Sequence, residues 1–281
     1  MAKVGVIGAG VMGAGIAQRC ATHSYRAVLV DAKPDQLLSA SARVKESLDK
    51  FVKKGVLAEH RKEEILKNIE LAPDLSRVAD CDLAIEAVYE DPELKKSVFR
   101  ELDRICSPET ILASNTSSIP IALLAGATGR PEKVIGLHFM NPVPLSTLAE
   151  LIRAERTSAE TMETCKRFAQ SLAVETVESA DTPGFIINRA LMPMINEAAH
   201  ALAQGVASAE DIDRAMVLGA RQPMGPLALA DLIGLDVVLS IIQTLHRETK
   251  QERFKPCPLL EDHVRQNRLG RKTGRGFHTY A

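Results

Sequence analysis

Net charge is almost absent from this 281-residue chain: 35 Lys and Arg stand against 36 Asp and Glu, leaving −1. So small an excess offers no bulk field for DNA, RNA or an anionic membrane. Neither nucleic acid nor a membrane is therefore expected among its partners. Paired cysteines are lacking too. Cys20, Cys81, Cys106, Cys165 and Cys257 are scattered, odd in number and without a CxxC. That argues against a disulfide framework and against a zinc site, and no metal is expected. Buried, reduced thiols are the expectation, and they suit a reducing compartment. The apolar stretches around Val11 and Leu239 are broken by glycine or by Asp236, short of the about 20 residues a membrane span needs. No charged, then apolar, then small-residue signal pattern follows Met1-Ala2-Lys3, so the expected location is cytoplasmic. Internal repeats and low-complexity tracts are absent as well.

What is present is a globular composition, 46% hydrophobic and 25% charged, on a length that suggests two domains. The first half alternates short β-branched runs with helical stretches. Val4–Ile7, Ala27–Val30, Leu83–Glu86, Ile111–Ser114 and Val134–His138 read as buried strands. Val11–His23, Pro34–Lys53 and Pro92–Cys106 read as helices. Such alternation predicts an α/β domain with a mostly parallel sheet covered on both faces. Thr147–Ile152, after a proline-rich turn, reads as a strand that reverses direction. Beyond Asp181-Thr182-Pro183-Gly184 the pattern becomes helical, with Phe185–Gln204, Ser208–Leu218, Leu235–Arg247 and Leu259–Gln266 as candidate helices. Gly205, Gly219 and Gly234 sit where helices should stop. The expected domains are residues 1–183, an α/β domain, and residues 184–281, an all-α C-terminal domain.

Gly8-Ala9-Gly10-Val11-Met12-Gly13 is a GxGxxG that follows a predicted strand and opens a predicted helix. The first glycine permits a tight turn, the second lets backbone approach a pyrophosphate, and the third lets helix and strand pack closely. Free N–H groups and a positive dipole end then face the phosphates, so residues 1–183 read as a Rossmann-type dinucleotide-binding domain. Asp31 ends the second strand eighteen residues after Gly13, where a carboxylate can accept hydrogen bonds from an adenosine ribose. A 2′-phosphate there would meet like charge, which favours NAD over NADP; nearby Lys33 softens that preference.

Ligands of an open α/β sheet gather at the carboxyl ends of its strands, and those ends are polar here. They deliver Gly8, Asp31, the run Glu86–Glu90, then Asn115-Thr116-Ser117-Ser118, and finally His138 followed by Asn141. Each has a bland alternative. Asn115 and Ser117 could cap a following helix, Glu90 could be a solvated loop charge, and His138 a satisfied core histidine. Glu150 lies twelve residues after His138, too far for one helix face, but Asn141-Pro142-Val143-Pro144 can turn the chain back alongside. A carboxylate on one imidazole nitrogen would fix the tautomer and favour the protonated ring, a pair suited to proton exchange with an alcohol or ketone. The bland alternative is a strand-end glutamate in water.

Seven segments together resemble the L-3-hydroxyacyl-CoA dehydrogenase family, and within it the short-chain 3-hydroxybutyryl-CoA dehydrogenases. They are GAGVMGAGIAQ at Gly8–Gln18, EAVYED at Glu86–Asp91, SNTSS at Ser114–Ser118, HFMNPVP at His138–Pro144, DTPGFIINR at Asp181–Arg189, QPMGPLALADLIGLD at Gln222–Asp236 and GRKTGRGF at Gly270–Phe277. The resemblance implies that His138 is the catalytic acid/base and Glu150 its carboxylate partner. It implies that Ser117 hydrogen-bonds the substrate's C3 oxygen, that Asn188 completes the polar cage from the second domain, and that Glu90, Lys95 and Asn115 surround the nicotinamide ribose. It gives Lys50 and Lys54 to the CoA nucleotide phosphates, and makes the helical domain the interface of a homodimer. Met140, the run Leu145–Ala149 and His278 depart from the family's usual pattern, which bears on acyl-chain preference. Two other readings keep the glycine loop: a free hydroxy-acid or sugar-acid dehydrogenase, and a non-catalytic NAD(H)-binding module. The latter need not retain Ser117, His138, Glu150 and Asn188 together.

Overall fold

A computed structural model describes residues 2–280. The chain divides into two compact units, Met1–Thr182 and Pro183–Ala281.

In the first unit, strands and helices follow one another as β1 (Lys3–Ile7), α1 (Val11–Thr22), β2 (Arg26–Val30), α2 (Pro34–Lys53), α3 (Glu59–Lys67), β3 (Ile69–Ala72), β4 (Leu83–Glu86), α4 (Pro92–Ile105), β5 (Ile111–Ser114), α5 (Ile121–Ala125), β6 (Val134–Phe139), β7 (Leu148–Arg153), α6 (Ala159–Ser171) and β8 (Glu175–Ala180). One eight-stranded sheet results, in the order β3-β2-β1-β4-β5-β6-β7-β8. All neighbours are parallel except β6 and β7. The central strands are buried along nearly their whole length, as strands covered on both faces must be. The strand order reverses at β1, whose two neighbours are β2 and β4. Successive crossovers there leave in opposite directions and open a crevice at the strands' carboxyl ends.

The expected fold class holds, and its two additions are instructive. β3 and β8, which sequence patterning does not pick out, are the two edge strands. Their sequences, Ile-Glu-Leu-Ala and Glu-Thr-Val-Glu-Ser-Ala, are short or polar, as edges need to be to discourage pairing with other chains. Polarity that protects an edge also erases the apolar signal of a strand.

The second unit is helical: α7 (Ile187–Ala203), α8 (Ala209–Gly219), α9 (Pro226–Ile233), α10 (Leu235–Thr249) and α11 (Pro258–Arg265). Its core gathers Met192, Ile195, Leu227, Leu235, Val238, Ile242, Leu245, Phe254 and Leu260. The first helix starts at Ile187 rather than at Phe185, because Gly184 and Phe185 both have positive φ, 77° and 50°, a conformation no right-handed helix accepts. Gly234 separates α9 from α10 with φ 104°. No single helix among the described residues is long and apolar enough to cross a membrane. α9 and α10 pass together by composition but meet at a bend of 100°.

All five cysteines are buried free thiols. Burial pushes Cys20, Cys81 and Cys165 up to about 12 and Cys106 to about 11, so these four thiols stay protonated and unreactive.

Candidate active site

The glycine loop closes β1 onto α1 by direct backbone contact. Gly8 has φ 103°, and a Cβ on it would come 2.6 Å from the Ala87 carbonyl oxygen. On Gly13 a Cβ would sit 1.8 Å from the Gly8 oxygen. Neither position tolerates a side chain. Gly10 differs: nothing lies within 4 Å of where its Cβ would be. That open space lies at the N-cap of α1, beside the exposed Val11 and half-buried Met12. An anion approaching there meets unpaired N–H groups and the positive end of the helix. Asp31 stands against the same loop. One of its oxygens accepts from the Ala9 amide at 2.9 Å and the other from the Lys33 amide at 2.9 Å. The residues thus fit a dinucleotide, with a narrow turn, an open helix end and a carboxylate fixed beside them.

At the ends of β4 and β5 lies a buried charge network. Glu86 is fully buried and accepts from the Val88 amide at 2.7 Å, the Lys95 ammonium at 2.6 Å and the Ser114 hydroxyl at 2.6 Å. Burial pushes its carboxyl above the ordinary range, and the Lys95 charge and these donors offset part of that shift. Lys95, 1% exposed, also lies 3.2 Å from Glu90. Glu90 accepts from the Thr116 hydroxyl at 2.5 Å, the Ser117 amide at 3.1 Å and the Ser118 hydroxyl at 3.0 Å. Burial works to raise the Glu90 carboxyl too, but the Lys95 ammonium and those hydroxyls outweigh it and hold it below the usual range. Glu90 stays partly open to solvent, yet these bonds make it the staple of the loop carrying Ser117.

Asn115 and Ser117 do not cap the following helix. The first two amides of α5 donate instead to Asp181, at 2.9 and 2.7 Å from Ile121 and Ala122. Asn115 uses its side-chain oxygen to accept from the Phe139 amide at 2.9 Å. The loop after β5 is thereby tied to the end of β6, one residue beyond His138.

His138 and Glu150 are direct cross-strand partners in the antiparallel pair β6–β7. Opposed residues on one face of such a pair lie within side-chain reach, and His138 Nδ1 lies 2.7 Å from Glu150 Oε2. Glu150 is fully buried and His138 is 9% exposed. With an ionised Glu150, Nδ1 carries the proton and donates, which leaves Nε2 as the nitrogen able to accept one.

Lys50 and Lys54 line a cleft of about 360 Å³ between α1, α2 and the turn after β6. Its apolar walls come from Val11, Val44, Phe51, Val143 and Leu145. Gly15 makes the cleft's shape possible, because a Cβ there would come within 3.0 Å of Val143. Arg19 pins the same turn by donating to the Pro144, Leu172 and Ala173 carbonyls at 3.0, 2.9 and 2.9 Å. Asn188 belongs to the second unit, where it is buried on the first turn of α7.

Sequence patterns mark Glu86 only as a strand end and do not mark Arg19 or Asp181 as partners of anything. The one available signal is a glutamate closing the otherwise apolar Leu-Ala-Ile, with a lysine nine residues on.

Comparison with known proteins gives consistent results. The sequence profile described as 3-hydroxyacyl-CoA dehydrogenase, NAD binding domain, matches residues 3–182, and that of the C-terminal domain matches residues 184–280. A 3-hydroxybutyryl-CoA dehydrogenase of Bradyrhizobium diazoefficiens is 50% identical over 278 residues, covering 99% of this chain and 95% of the relative. One from Clostridioides difficile is 46% identical over 99% of both chains. The crystal structure of (S)-3-hydroxybutyryl-CoA dehydrogenase from Ralstonia eutropha superposes with a TM-score of 0.95 at 42% identity, covering 99% of both chains.

Proposed function

The chain belongs to the 3-hydroxyacyl-CoA dehydrogenase family, and from that premise we propose that it interconverts (S)-3-hydroxyacyl-CoA and 3-ketoacyl-CoA thioesters with NAD(H). The proposed preferred pair is 3-hydroxybutyryl-CoA and acetoacetyl-CoA. The observation that carries the reading is the imidazole–carboxylate pair, His138 Nδ1 to Glu150 Oε2 at 2.7 Å, with His138 at the carboxyl end of β6, the side of the sheet where ligands of this fold gather.

Gly8, Gly10, Val11, Met12, Gly13 and Asp31 are the residues proposed to hold NAD, which when bound supplies hydride transfer to and from carbon. The chain's own part is proton handling. His138 takes the proton of the 3-hydroxyl group at Nε2 in the oxidising direction and returns it to the carbonyl oxygen in the reducing one. Glu150 keeps the ring in the accepting tautomer and stabilises the imidazolium. Ser117 is proposed to donate to the C3 oxygen, where negative charge builds as the carbonyl is reduced. Of the three residues expected around the nicotinamide ribose, Glu90 has a carboxylate side chain 37% exposed and is proposed to meet it. Lys95 and Asn115 are committed to Glu86, Glu90 and the Phe139 amide, and act by holding that edge in place. Lys50 and Lys54, on the cleft, are proposed to receive the CoA nucleotide.

Steady-state kinetics test the reading. With NADH, kcat/KM for acetoacetyl-CoA should exceed that for free acetoacetate by about two orders of magnitude or more, since the nucleotide's binding energy is lost with the truncated substrate. Comparable values would point to a free-acid dehydrogenase. Asp31→Ala should weaken NADH binding by about 10- to 100-fold, the loss of charge-assisted hydrogen bonds of about 1.5–3 kcal/mol, and narrow the gap to NADPH. An unaltered NADH affinity would remove Asp31 from the ribose.

A further inference from the structure

The cleft beside α2 holds a cation that no role described so far absorbs. Arg43, Ser47, Lys50 and Lys54 all line it, and their spacing of four, three and four residues sets them on one face of the helix and its cap. Lys50 is paired with Glu46 at 2.8 Å on the surface. Arg43 has no carboxylate partner among the described residues. Its Nη2 donates to the Ala9 carbonyl at 2.8 Å, while its Nε is buried with no hydrogen-bond partner at all.

A guanidinium that is half-buried, without a carboxylate and short of an acceptor is costly in an isolated protein, because its Nε–H has given up water for no partner. A ligand that supplies the missing acceptor is one way such a group is completed. The Ala9 carbonyl holds the plane of the guanidinium in a set direction, and a fork of fixed donors suits a phosphate, which can accept two of them at once. The surroundings agree on the sign. Arg43, Lys50 and Lys54 outnumber Glu46 on the cleft wall, and apolar Phe51, Val44 and Leu145 beside them offer a surface for a flat base or a pantetheine arm.

Resting on the reading that this cleft receives the thioester's nucleotide, we propose that Arg43 is a third cation of that site, whose guanidinium turns to a phosphate of CoA and so gains the acceptor it lacks. It is a specificity residue, favouring CoA thioesters over thioesters that lack the nucleotide. The glycine loop orients it through Ala9 without its serving the cofactor's own phosphates.

Calorimetric binding and kinetics of Arg43→Ala and Arg43→Lys test this. Arg43→Ala should weaken CoA binding about tenfold. It should also lower by a similar factor the preference, in kcat/KM, for acetoacetyl-CoA over acetoacetyl-pantetheine. Arg43→Lys should recover part of both, since a point charge replaces the fork, and it serves as the readout if the alanine variant folds poorly. CoA binding unchanged in both variants overturns the proposal. So does a tenfold loss of NADH affinity with CoA affinity intact, which would give Arg43 to the cofactor. If the unaltered protein binds CoA yet turns over no CoA thioester, the functional reading fails while the Arg43 assignment is still judged by the binding arm.

Discussion

His138→Gln should lower kcat by about 10²–10⁴-fold, the usual span of a lost general acid/base, while NADH affinity changes by no more than about twofold. Glutamine is the informative replacement because its amide can still donate to Glu150, which lies fully buried 2.7 Å from His138 Nδ1. An alanine would take that donor from a buried carboxylate and mix a stability loss into the kinetic one. What glutamine cannot do is accept and return a proton near neutral pH. The loss should therefore fall on turnover in both directions and leave the thermal midpoint close to that of the unaltered protein. Retained turnover in a folded His138→Gln protein would take His138 out of the mechanism and leave the crevice with no evident proton carrier.

Glu86→Ala should be the most destabilising single change, by about 3–5 kcal/mol, the range for removing one partner of a buried ion pair. Glu86 and Lys95 are 0% and 1% exposed. Without Glu86, the Lys95 ammonium keeps only Glu90 at 3.2 Å and the Val88 carbonyl at 3.3 Å. The Ser114 hydroxyl and Val88 amide lose their acceptor as well. Glu86→Gln should cost clearly less, because an amide oxygen can still take the Val88 amide or the Lys95 ammonium. In the double variant Glu86→Gln with Lys95→Met the Glu86–Lys95 charges are gone, and part of the loss should be recovered, with Glu90 left to the Thr116 and Ser118 hydroxyls. Denaturant unfolding of the three proteins gives the comparison. A Glu86→Ala protein within about 1 kcal/mol of the original would show that the network contributes little to stability.

Both predictions concern residues whose partners lie at different distances along the chain, and that distance governs what could be read beforehand. The glycine loop was legible because its parts are consecutive: a strand, a turn that admits no Cβ at Gly8 or Gly13, and a helix. His138 and Glu150 were candidates because a proline-rich turn separates two short apolar runs, so a hairpin-like return is local geometry. The family resemblance gives Glu90 to the ribose, but its bonds to the Thr116–Ser118 loop join strand ends more than 25 residues apart, and no local pattern encodes them. Capping of the helix after Ser118 illustrates the same limit. Local reasoning offered Asn115 and Ser117, whereas the amides of α5 turn to Asp181, about 60 residues further on.

By itself, the sequence determined the alternation of strands and helices, the glycine turn with its acidic residue at the next strand's end, and the list of polar groups at the crevice. All of these depend on spacings within one turn, one pleat or one short loop. Only the tertiary structure decided that the polar segments Ile69–Ala72 and Glu175–Ala180 are edge strands. It alone decided that Lys95 is sunk between two glutamates, and that Arg43 reaches back from α2 to Ala9. The reason is physical. Local patterns carry the backbone's own preferences, whereas the partner of a buried charge is chosen by whichever acceptor the packed sheet leaves within about 3 Å, and no spacing along the chain encodes that distance.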